Sequence, residues 1–427
     1  MSSFGSPRAA PSSTVASVPA TTSEETAAEV TDEPVPLTEP VDGVPAVTDT
    51  PAALERAVAA LAAGTGPVAV DAERASGFRY GQRAYLVQLR RASAGTVLLD
   101  PVALPELDDL AAVLSGCEWV LHAADQDLPC LADLGLRPPR LFDTELASRL
   151  LGRAKVGLAS VVAENLGFAL AKEHSAADWS TRPLPESWLR YAALDVELLV
   201  ELRDVLTRDL EAAGKLEWAL EEFENVRTAP PAPPRPDPWR RTAGLQAVKD
   251  PRGLAVARSL WEAREELAQR LDRAPGRVLS ANAIVAAALA KPTSITALGR
   301  LKEFSGKRVR RDYWFEAVAR AMALPDAELP PRRAPQQPGN LPTPRSWPEK
   351  NPPAAERLDK VRATVRAHAD ELALPQENLL APALQRRLAW EVGHRPTLGD
   401  VTDRLTALGA RPWQVDQLAG RLAKALA

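Results

Sequence analysis

Acidic residues beside apolar stretches are the feature of this 427-residue chain that most directly suggests chemistry. Asp71 and Glu73 end the stretch VAVDAE, Asp127 lies in LHAADQDL, and Asp195 lies in YAALDVELL. A lone carboxylate is costly to hold next to an apolar core, whereas a divalent cation would stabilise several carboxylates together. A pair of such cations is a common apparatus for hydrolysing phosphodiesters. The acidic residues therefore indicate a metal-dependent site for phosphodiester cleavage.

Local spacing places these residues on shared faces. Asp71 and Glu73 are two positions apart on a predicted strand, so both side chains project from the same face. Tyr191 and Asp195 are four positions apart in a helical pattern and share one face of a helix. A phenol with a pKa of about 10 is a poor base, but its hydroxyl can orient a water molecule. Each motif also has a purely structural interpretation: solvated acids at a strand end, a helix cap at Asp125, or an aromatic–acid pair on a helix. No single motif is therefore sufficient to predict a catalytic site.

The elements that must position these residues form an α/β unit. The sequence predicts a helix from about residue 48, strands at 67–73, 84–91, 96–100 and 118–123, helices at 104–114 and 125–134, and almost continuous helix from 142 to 226. Strands followed by helices imply a sheet domain of roughly 180 residues that is closed by helices.

Proline-rich stretches divide the chain into several regions. We predict a disordered tail at 1–45, a catalytic domain at 46–227, a linker at 228–241, a helical domain at 242–326, a second linker at 327–353 and a C-terminal helical domain at 354–427. The tail is acidic, since residues 1–50 hold eight acidic residues and one base, Arg8. Residues 240–320 hold 17 Lys or Arg and 8 Asp or Glu, a local excess that would attract a polyanion.

Composition narrows the class of protein. The chain is 45% hydrophobic and 25% charged with a net charge of −4, which is typical of a soluble globular protein. Its two cysteines, Cys117 and Cys130, are flanked by apolar residues and predict buried thiols in a reducing compartment. No Cys or His ligand spacing indicates structural zinc, and no signal peptide or long apolar segment is evident. We therefore expect a cytoplasmic monomer with no membrane association.

The order and surroundings of the acidic motifs resemble a known family. The D-x-E, D and Y-x-x-x-D signals are similar to those of the DEDD superfamily of 3′→5′ exonucleases, tyrosine subclass. The stretches DAERASGFRYGQRAYLVQLR, FDTELASRLLG and KEHSAADWSTRPLPESWLRYAALDV narrow this resemblance to ribonuclease D over residues 65–225. The basic helical region resembles the HRDC domain that follows the nuclease domain in ribonuclease D, and the C-terminal region resembles a second, diverged copy.

The resemblance implies a fold and a set of functional residues. It implies a ribonuclease-H-like α/β exonuclease domain with a mixed sheet, followed by one or two all-α HRDC-type domains. It implies that Asp71, Glu73, Asp127 and Asp195 bind two divalent metal ions, Mg²⁺ or Mn²⁺, and that Tyr191 positions the attacking water. The substrate would be RNA with a free 3′ end, such as a tRNA precursor, and the product a nucleoside 5′-monophosphate.

Other residues are candidates for contacts with the substrate. Gln88, His122 and Arg182 are interpreted as possible nucleotide or phosphate contacts, although an ion pair between Arg182 and Asp178 is an equally good interpretation. The run KRVRR supplies Lys307, Arg308, Arg310 and Arg311 as nucleic-acid contacts, with Tyr313, Trp314 and Phe315 as rings for base stacking or as core residues. Two alternatives stay open: an exonuclease that prefers DNA, and a non-catalytic RNA-binding adaptor.

Overall fold

The structure, a computed structural model, describes residues 33–104, 106–170, 176–306, 310–334 and 339–427. The predicted disordered tail lies outside the described residues up to residue 32. Its last part differs from the prediction, because Val35–Leu37 forms strand β1, which pairs in parallel with strand β8, Phe168–Leu170. The partner is more than 130 residues away in sequence, which local periodicity cannot reveal.

A six-stranded mixed sheet forms the centre of the first domain. Strands β1 and β8 form a separate two-stranded sheet, and the six strands of the central sheet are β2 Val47–Thr48, β3 Thr65–Arg74, β4 Ala84–Ala92, β5 Gly95–Leu99, β6 Glu118–Leu121 and β7 Arg140–Asp143. They lie in the order β2-β5-β4-β3-β6-β7, with β3, β4 and β5 antiparallel and β3, β6 and β7 parallel. The predicted hairpin of β4 and β5 is present, and the continuous apolar character of β3 reflects burial of Val68, Ala69 and Val70.

Helices cover this sheet. One of them contains an acidic residue of the predicted cluster, and another begins directly after one. They are α1 Pro51–Ala63, α2 Asp108–Leu114, α3 Leu128–Asp133, α4 Thr144–Leu150, α5 Leu158–Leu166, α6 Glu186–Glu197, α7 Leu199–Ala212 and α8 Leu216–Arg227. Thr50 caps α1 by accepting a hydrogen bond from the backbone N–H of Ala53. The helix therefore begins slightly later than the predicted start near residue 48. The prediction of almost continuous helix after residue 142 is wrong at β7 and β8, which are too short for their alternation to show.

Two all-helical regions follow. The first contains α9 Pro251–Arg270, α10 Pro275–Val278, α11 Ala281–Ala290, α12 Ile295–Gly299 and α13 Arg311–Ala323. The second contains α14 Trp347–Lys350, α15 Pro352–Glu371, α16 Gln376–Leu379, α17 Pro382–Glu391, α18 Leu398–Ala407 and α19 Pro412–Leu426. Among the described residues, no helix is both long and apolar enough to cross a membrane.

The hydrophobic cores do not follow the three regions one to one. The first helical region has its own core, which includes Trp239, Leu260 and Trp314. The second shares one continuous core with the sheet domain, in which Phe223 of α8 and Trp413 of α19 both take part. The second helical region is therefore a structural extension of the sheet domain, and the first is a separate body.

Candidate active site and its carboxylate cavity

Three elements bring the predicted acidic residues to one cavity. Strand β3 carries Asp71 and Glu73 on one face, and Ala72 between them is buried on the other. Helix α6 carries Tyr191 and Asp195 one turn apart. Strand β6 leads through a single 3₁₀ turn, Ala124–Gln126, to Asp127 at the start of α3. All five predicted catalytic side chains line a cavity of about 390 Å³.

Three of the carboxylates converge tightly. Ligand oxygens of Asp71, Glu73 and Asp195 all lie within 4.8 Å of one another. Mg²⁺ and Mn²⁺ prefer such hard oxygen ligands at about 2.1 Å, so two oxygens on one ion lie at most about 4.2 Å apart, and small side-chain adjustments bring this group within that limit. The donor set therefore fits a divalent cation, and it was assembled from segments more than 120 positions apart.

Asp127 belongs to the cavity but not to this close group of three. It is buried, and its Oδ1 lies 3.2 Å from Nη2 of Arg74. Arg74 also donates a hydrogen bond from Nη1 to the carbonyl oxygen of Gln126 at 2.8 Å. Arg74 thus contacts Oδ1 of the one acidic residue that stands apart, and Asp127 has a second oxygen, Oδ2, with which it could contact a cation while it keeps this ion pair.

Burial and mutual repulsion make the carboxylates reluctant to ionise together. Burial, followed by the charges of Asp71, Asp195 and Asp127, raises the pKa of Glu73 to about 10. Burial and the charge of Asp71 raise the pKa of Asp127 to about 8 and that of Asp195 well above its ordinary value. Burial also raises the pKa of Asp71. A bound divalent cation would reverse these shifts by stabilising the ionised forms.

Tyr191 is placed to act as a hydrogen-bonding group and not as a base. Burial and the nearby charges of Asp195 and Glu73 raise the pKa of its phenol above the ordinary value of 10. Its hydroxyl hydrogen-bonds the carboxylate of Asp195. A phenol that stays protonated and is fixed on Asp195 still has oxygen lone pairs with which to orient a water.

Asp143, at the end of β7, holds the turn that delivers Asp127. It caps α4 by accepting from the backbone N–H groups of Glu145 and Leu146. The same carboxylate accepts from the N–H of Ala123 at 3.1 Å and of Ala124 at 2.8 Å. Ala123 has φ of 59°, an unfavourable left-handed conformation for alanine that these bonds stabilise. An aspartate before a helix is a common cap, but nothing in the sequence indicated its second set of hydrogen bonds.

His122 lies at the cavity edge as an uncharged group. Its Nδ1 lies 2.9 Å from Oγ1 of Thr144, and burial lowers its pKa to about 4. At neutral pH the ring carries no charge with which to attract a phosphate. A polar contact with a nucleotide stays a prediction.

Gln88 is in the sheet beneath α6 and not at the cavity surface. It lies opposite Asp71 in the β3–β4 pair, is 0% exposed and is absent from the cavity lining. Neither of its amide atoms has a hydrogen-bond partner among the described residues. In this structure the buried side chain offers no surface to the terminal nucleotide, and the predicted contact stays a prediction.

Arg182 has a structural role in place of the predicted phosphate contact. Its Nε and Nη2 bind the carboxylate of Asp100 at 2.6 and 2.9 Å, so its ion-pair partner is not Asp178. Its other three N–H groups donate to the carbonyl oxygens of Trp179, Thr181 and Tyr85. All five guanidinium donors are used. Burial alone would raise the pKa of Asp100, but the hydrogen bonds from Arg182 hold it below its ordinary value.

The predicted basic run is only partly available for nucleic acid. Lys307 and Arg308 lie outside the described residues. Arg311 donates to the carbonyl oxygens of Phe304 and Ser305, both at 2.7 Å, and so closes its own loop. Trp314 is only 3% exposed, so of the two predicted roles for this ring it has the core role and not base stacking. Arg310 stays a candidate, since its guanidinium lies 5.1 Å from the ring centroid of Tyr313.

Family models match all three regions. Residues 45–211 match a model described as 3′-5′ exonuclease, residues 253–314 match the HRDC domain, and residues 340–426 match a 3′ to 5′ exonuclease C-terminal domain. The second model spans α9 to the start of α13, in agreement with the predicted HRDC domain. The third covers the region in which we predicted a second, HRDC-like copy.

Relatives and solved structures agree with these matches. The chain is 34% identical over 275 residues to ribonuclease D of Gluconacetobacter diazotrophicus, covering 62% of this chain and 68% of that one. A solved structure of a protein from Bifidobacterium adolescentis has a TM-score of 0.85 and 38% identity, covering 92% of this chain and 100% of that one. Escherichia coli RNase D has the same fold, with a TM-score of 0.64 at 23% identity, 89% coverage of this chain and 98% of that one.

Proposed function

The chain belongs to the ribonuclease D family, and from this premise we propose that its carboxylate cavity removes nucleotides one at a time from the 3′ end of RNA with the help of two divalent metal ions. Membership makes it a 3′→5′ exoribonuclease with a soluble α/β catalytic domain and an HRDC domain. The observation that carries the assignment of the site is the convergence of Asp71, Glu73 and Asp195 within 4.8 Å.

The residues of the cavity divide the work of hydrolysis. Asp71, Glu73 and Asp195 would hold one cation, and Asp127, through the oxygen that does not contact Arg74, would help to hold a second. When bound, such cations polarise the phosphate and lower the pKa of the attacking water. Tyr191 would orient that water for attack in line with the leaving 3′ oxygen. Water oxygen bonds to phosphorus, the bond to the 3′ oxygen breaks, and a nucleoside 5′-monophosphate leaves.

The size of the cavity suits one terminal nucleotide. A volume of about 390 Å³ is in the range of small-molecule pockets and is far too small for a duplex. A folded RNA with a single-stranded 3′ tail would therefore present the tail to the cavity and leave its folded part outside. On this basis we propose precursors of tRNA, or other RNAs in turnover, as substrates.

Digestion of a 5′-labelled tRNA precursor with an extended 3′ tail tests the proposal. With Mg²⁺ or Mn²⁺ present, we expect a ladder of products shortened by single nucleotides. Asp195→Asn should slow the reaction by about a thousandfold, because it removes a metal ligand and the partner of Tyr191. Asp204→Asn, the same change at an exposed position of α7, should leave the rate unchanged. Shortening of a DNA oligomer but not of RNA would contradict the assignment, as would cleavage that ignores a blocked 3′ end.

Metal binding can be measured without activity. In the metal-free protein Glu73, with a pKa of about 10, keeps its proton in the folded state at a pH where the unfolded side chain has lost it. Folding stability should therefore fall as pH rises from about 4.3 towards 10, and added Mg²⁺ should restore it most strongly at the alkaline end. Glu73→Gln should flatten the pH dependence of Tm and abolish the increase produced by Mg²⁺. An unchanged Mg²⁺ effect in this variant would exclude Glu73 as a ligand.

A further inference from the structure

The catalytic domain and the HRDC domain meet along a narrow seam, formed by residues 74–83 on one side and 270–277 on the other. The backbone N–H of Ala274 donates to the carbonyl oxygen of Phe78 at 2.9 Å, and Nε of Arg277 donates to that of Gly77 at 2.6 Å. The N–H of Tyr80 donates to Asp272 at 3.3 Å. The segment on the catalytic side begins one residue after Glu73, so the seam adjoins the carboxylate cavity.

The seam has a large excess of positive charge. Its two segments contain six arginines and one acidic residue, Asp272, whereas the whole chain has a net charge of −4. Acids outside the segments contact Arg74, Tyr80 and Arg270, namely Asp127, Glu265 and Glu266, so the excess that remains is on Arg273 and Arg277. Asp272 is shared by Arg79 at 3.6 Å and Arg83 at 3.5 Å. Arg273 and Arg277 are exposed and form no ion pair with an acid in the described part of the chain. Like charges gathered this closely repel one another, and a polyanion would relieve the repulsion.

A second cavity connects the seam to the active site. It has a volume of about 320 Å³ and shares Ala72, Glu73 and Arg74 with the carboxylate cavity. Its far wall includes Phe78, whose ring centroid lies 4.1 Å from the guanidinium carbon of Arg277. A strand that leaves the active site through this cavity therefore arrives at an exposed guanidinium that is already fixed on an aromatic ring.

The basic surface continues along the HRDC domain beyond the seam. The guanidinium carbons of Arg270 and Arg310 lie 6.0 and 5.1 Å from the ring centroid of Tyr313. Only one acidic residue contacts this pair in the described structure, since Arg270 lies 3.8 Å from Glu266. The exposed arginines without an acidic partner in the described structure thus include Arg273 and Arg277 at the seam and Arg310 beyond it.

We propose that the seam is a binding site for single-stranded RNA immediately upstream of the nucleotide being removed. In this site Arg273 and Arg277 contact successive phosphates, and Arg277, stacked on Phe78, offers its free side to a base. The proposal rests on the exoribonuclease function and adds a second, cleavage-independent contact with the same strand. It predicts that the seam acts only on substrates long enough to reach it.

Substrate length separates this contact from the chemistry. The double variant Arg273→Gln, Arg277→Gln should lower kcat/KM for a 12-nucleotide RNA by about tenfold and that for a 3-nucleotide RNA by less than about twofold. Loss of two phosphate contacts should also make the dependence of log(kcat/KM) on log[salt] shallower by about 1.4. Phe78→Leu keeps an apolar side chain but removes the aromatic face. It should lower kcat/KM for the 12-mer only, and by less than the double variant does.

Arg320→Gln provides a matched control in the same domain. Arg320 is exposed on α13, at the end that packs against the start of α9, where Arg252 donates to the carbonyl oxygen of Ala321. Since α9 has 20 residues and is about 30 Å long, this site is remote from the seam. This control substitution should leave kcat/KM unchanged for both the 12-nucleotide and the 3-nucleotide RNA.

Binding of a fluorescent 12-mer to the Asp195→Asn protein gives a readout that does not depend on cleavage. The added seam changes should weaken this binding by about tenfold. An equal fall for both lengths of RNA, or unchanged binding in a variant with unchanged Tm, would overturn the seam proposal. If wild-type protein shortens neither RNA, the proposed function fails, and the binding measurement still decides for or against the seam.

Discussion

The two helical regions repeat one series of elements but join the catalytic domain in opposite ways. Each contains a 20-residue helix, α9 or α15, that is followed by a 4-residue helix and a 10-residue helix, and in the second region the short helix α14 precedes this series. Each has a left-handed residue just after the long helix, Asp272 with φ of 45° and Ala373 with φ of 49°. In both regions this turn contacts the catalytic domain. The shared order supports a second HRDC-like copy, which stays a prediction.

The chemistry at the two turns is different. Asp272 meets arginines and a backbone N–H across the exposed seam. At the other turn the carbonyl oxygen of Leu372 accepts from Nζ of the buried Lys215 at 2.7 Å. Ala373 packs so closely on Gly152 that a Cβ there would lie 2.1 Å from the Ala373 carbonyl oxygen.

Burial explains how firmly each region is held. Glu222 of α8 is buried and accepts hydrogen bonds from Arg411, Trp413 and Gln414 of the second region. The rings of Trp218 and Trp413 stack with centroids 4.9 Å apart. Apolar contacts and a satisfied buried charge fix geometry, whereas exposed ion pairs contribute little free energy. The comparison shows that two regions with a similar order of helices join the catalytic domain differently, one through a shared core and the other through exposed polar contacts.

Removing the buried acid should give the largest effect. Glu222→Ala leaves the buried Nε1 of Trp413 without its acceptor and removes the acid that pairs with Arg411, and we expect the free energy of unfolding to fall by about 3 kcal/mol. Chemical denaturation measures it. Glu224→Ala, on the same helix but in an exposed pair with Arg227, should change stability little. Equal effects of the two changes would show that the junction is not stabilised through Glu222.

Adding one methyl group at the fused junction should give the next largest effect. Gly152→Ala combines a left-handed φ of 74° with the clash against Ala373, and we expect a loss of about 2 kcal/mol or more. Gly167→Ala is the matched control, because its φ is 71° and nothing lies within 4 Å of an added Cβ. The difference between the two variants isolates the contact between regions. Equal losses of stability in the two variants would mean that the junction can rearrange to accommodate the added methyl group.

Neutralising the acid of the seam should have the smallest effect on stability. Asp272→Asn keeps a residue that tolerates positive φ but removes the charge shared by Arg79 and Arg83, and we expect a change of about 0.5 kcal/mol. Hydrogen exchange at the Ala274 amide should quicken, and quicken further at high salt. The Trp413 amide, which donates to Glu221 at the fused junction, should not respond. A response at both amides would contradict the distinction between the junctions.

Local periodicity was sufficient for much of the candidate site. The spacing of Asp71 and Glu73 on a strand and of Tyr191 and Asp195 on a helix predicted shared faces, and the structure has both pairs as predicted. These relations depend only on periods of 2 and 3.6 residues. The resemblance of the intervening stretches to ribonuclease D identified the family in the same way, from residue types in order.

Predictions that required a specific distant partner were less successful. Arg182 was predicted to contact a phosphate or to form an ion pair with Asp178, yet it binds Asp100, 82 positions away. Gln88 was predicted to contact the substrate, yet its side chain is fully buried in this structure. Strands β1 and β8 were missed because each has only three residues and pairs with the other. In each case the outcome depended on which surface packs against the residue.

The sequence by itself determined the catalytic residue types, their local faces, the family and the positive charge of the HRDC region, because these are properties of composition and short-range spacing. Only the tertiary structure decided that Asp127 is held by Arg74, that Asp143 supports its turn, and that one helical region is fused while the other meets the active site at a basic seam. Such contacts join residues far apart in the chain. Their existence depends on the packing of whole elements, which fixes distance and burial together.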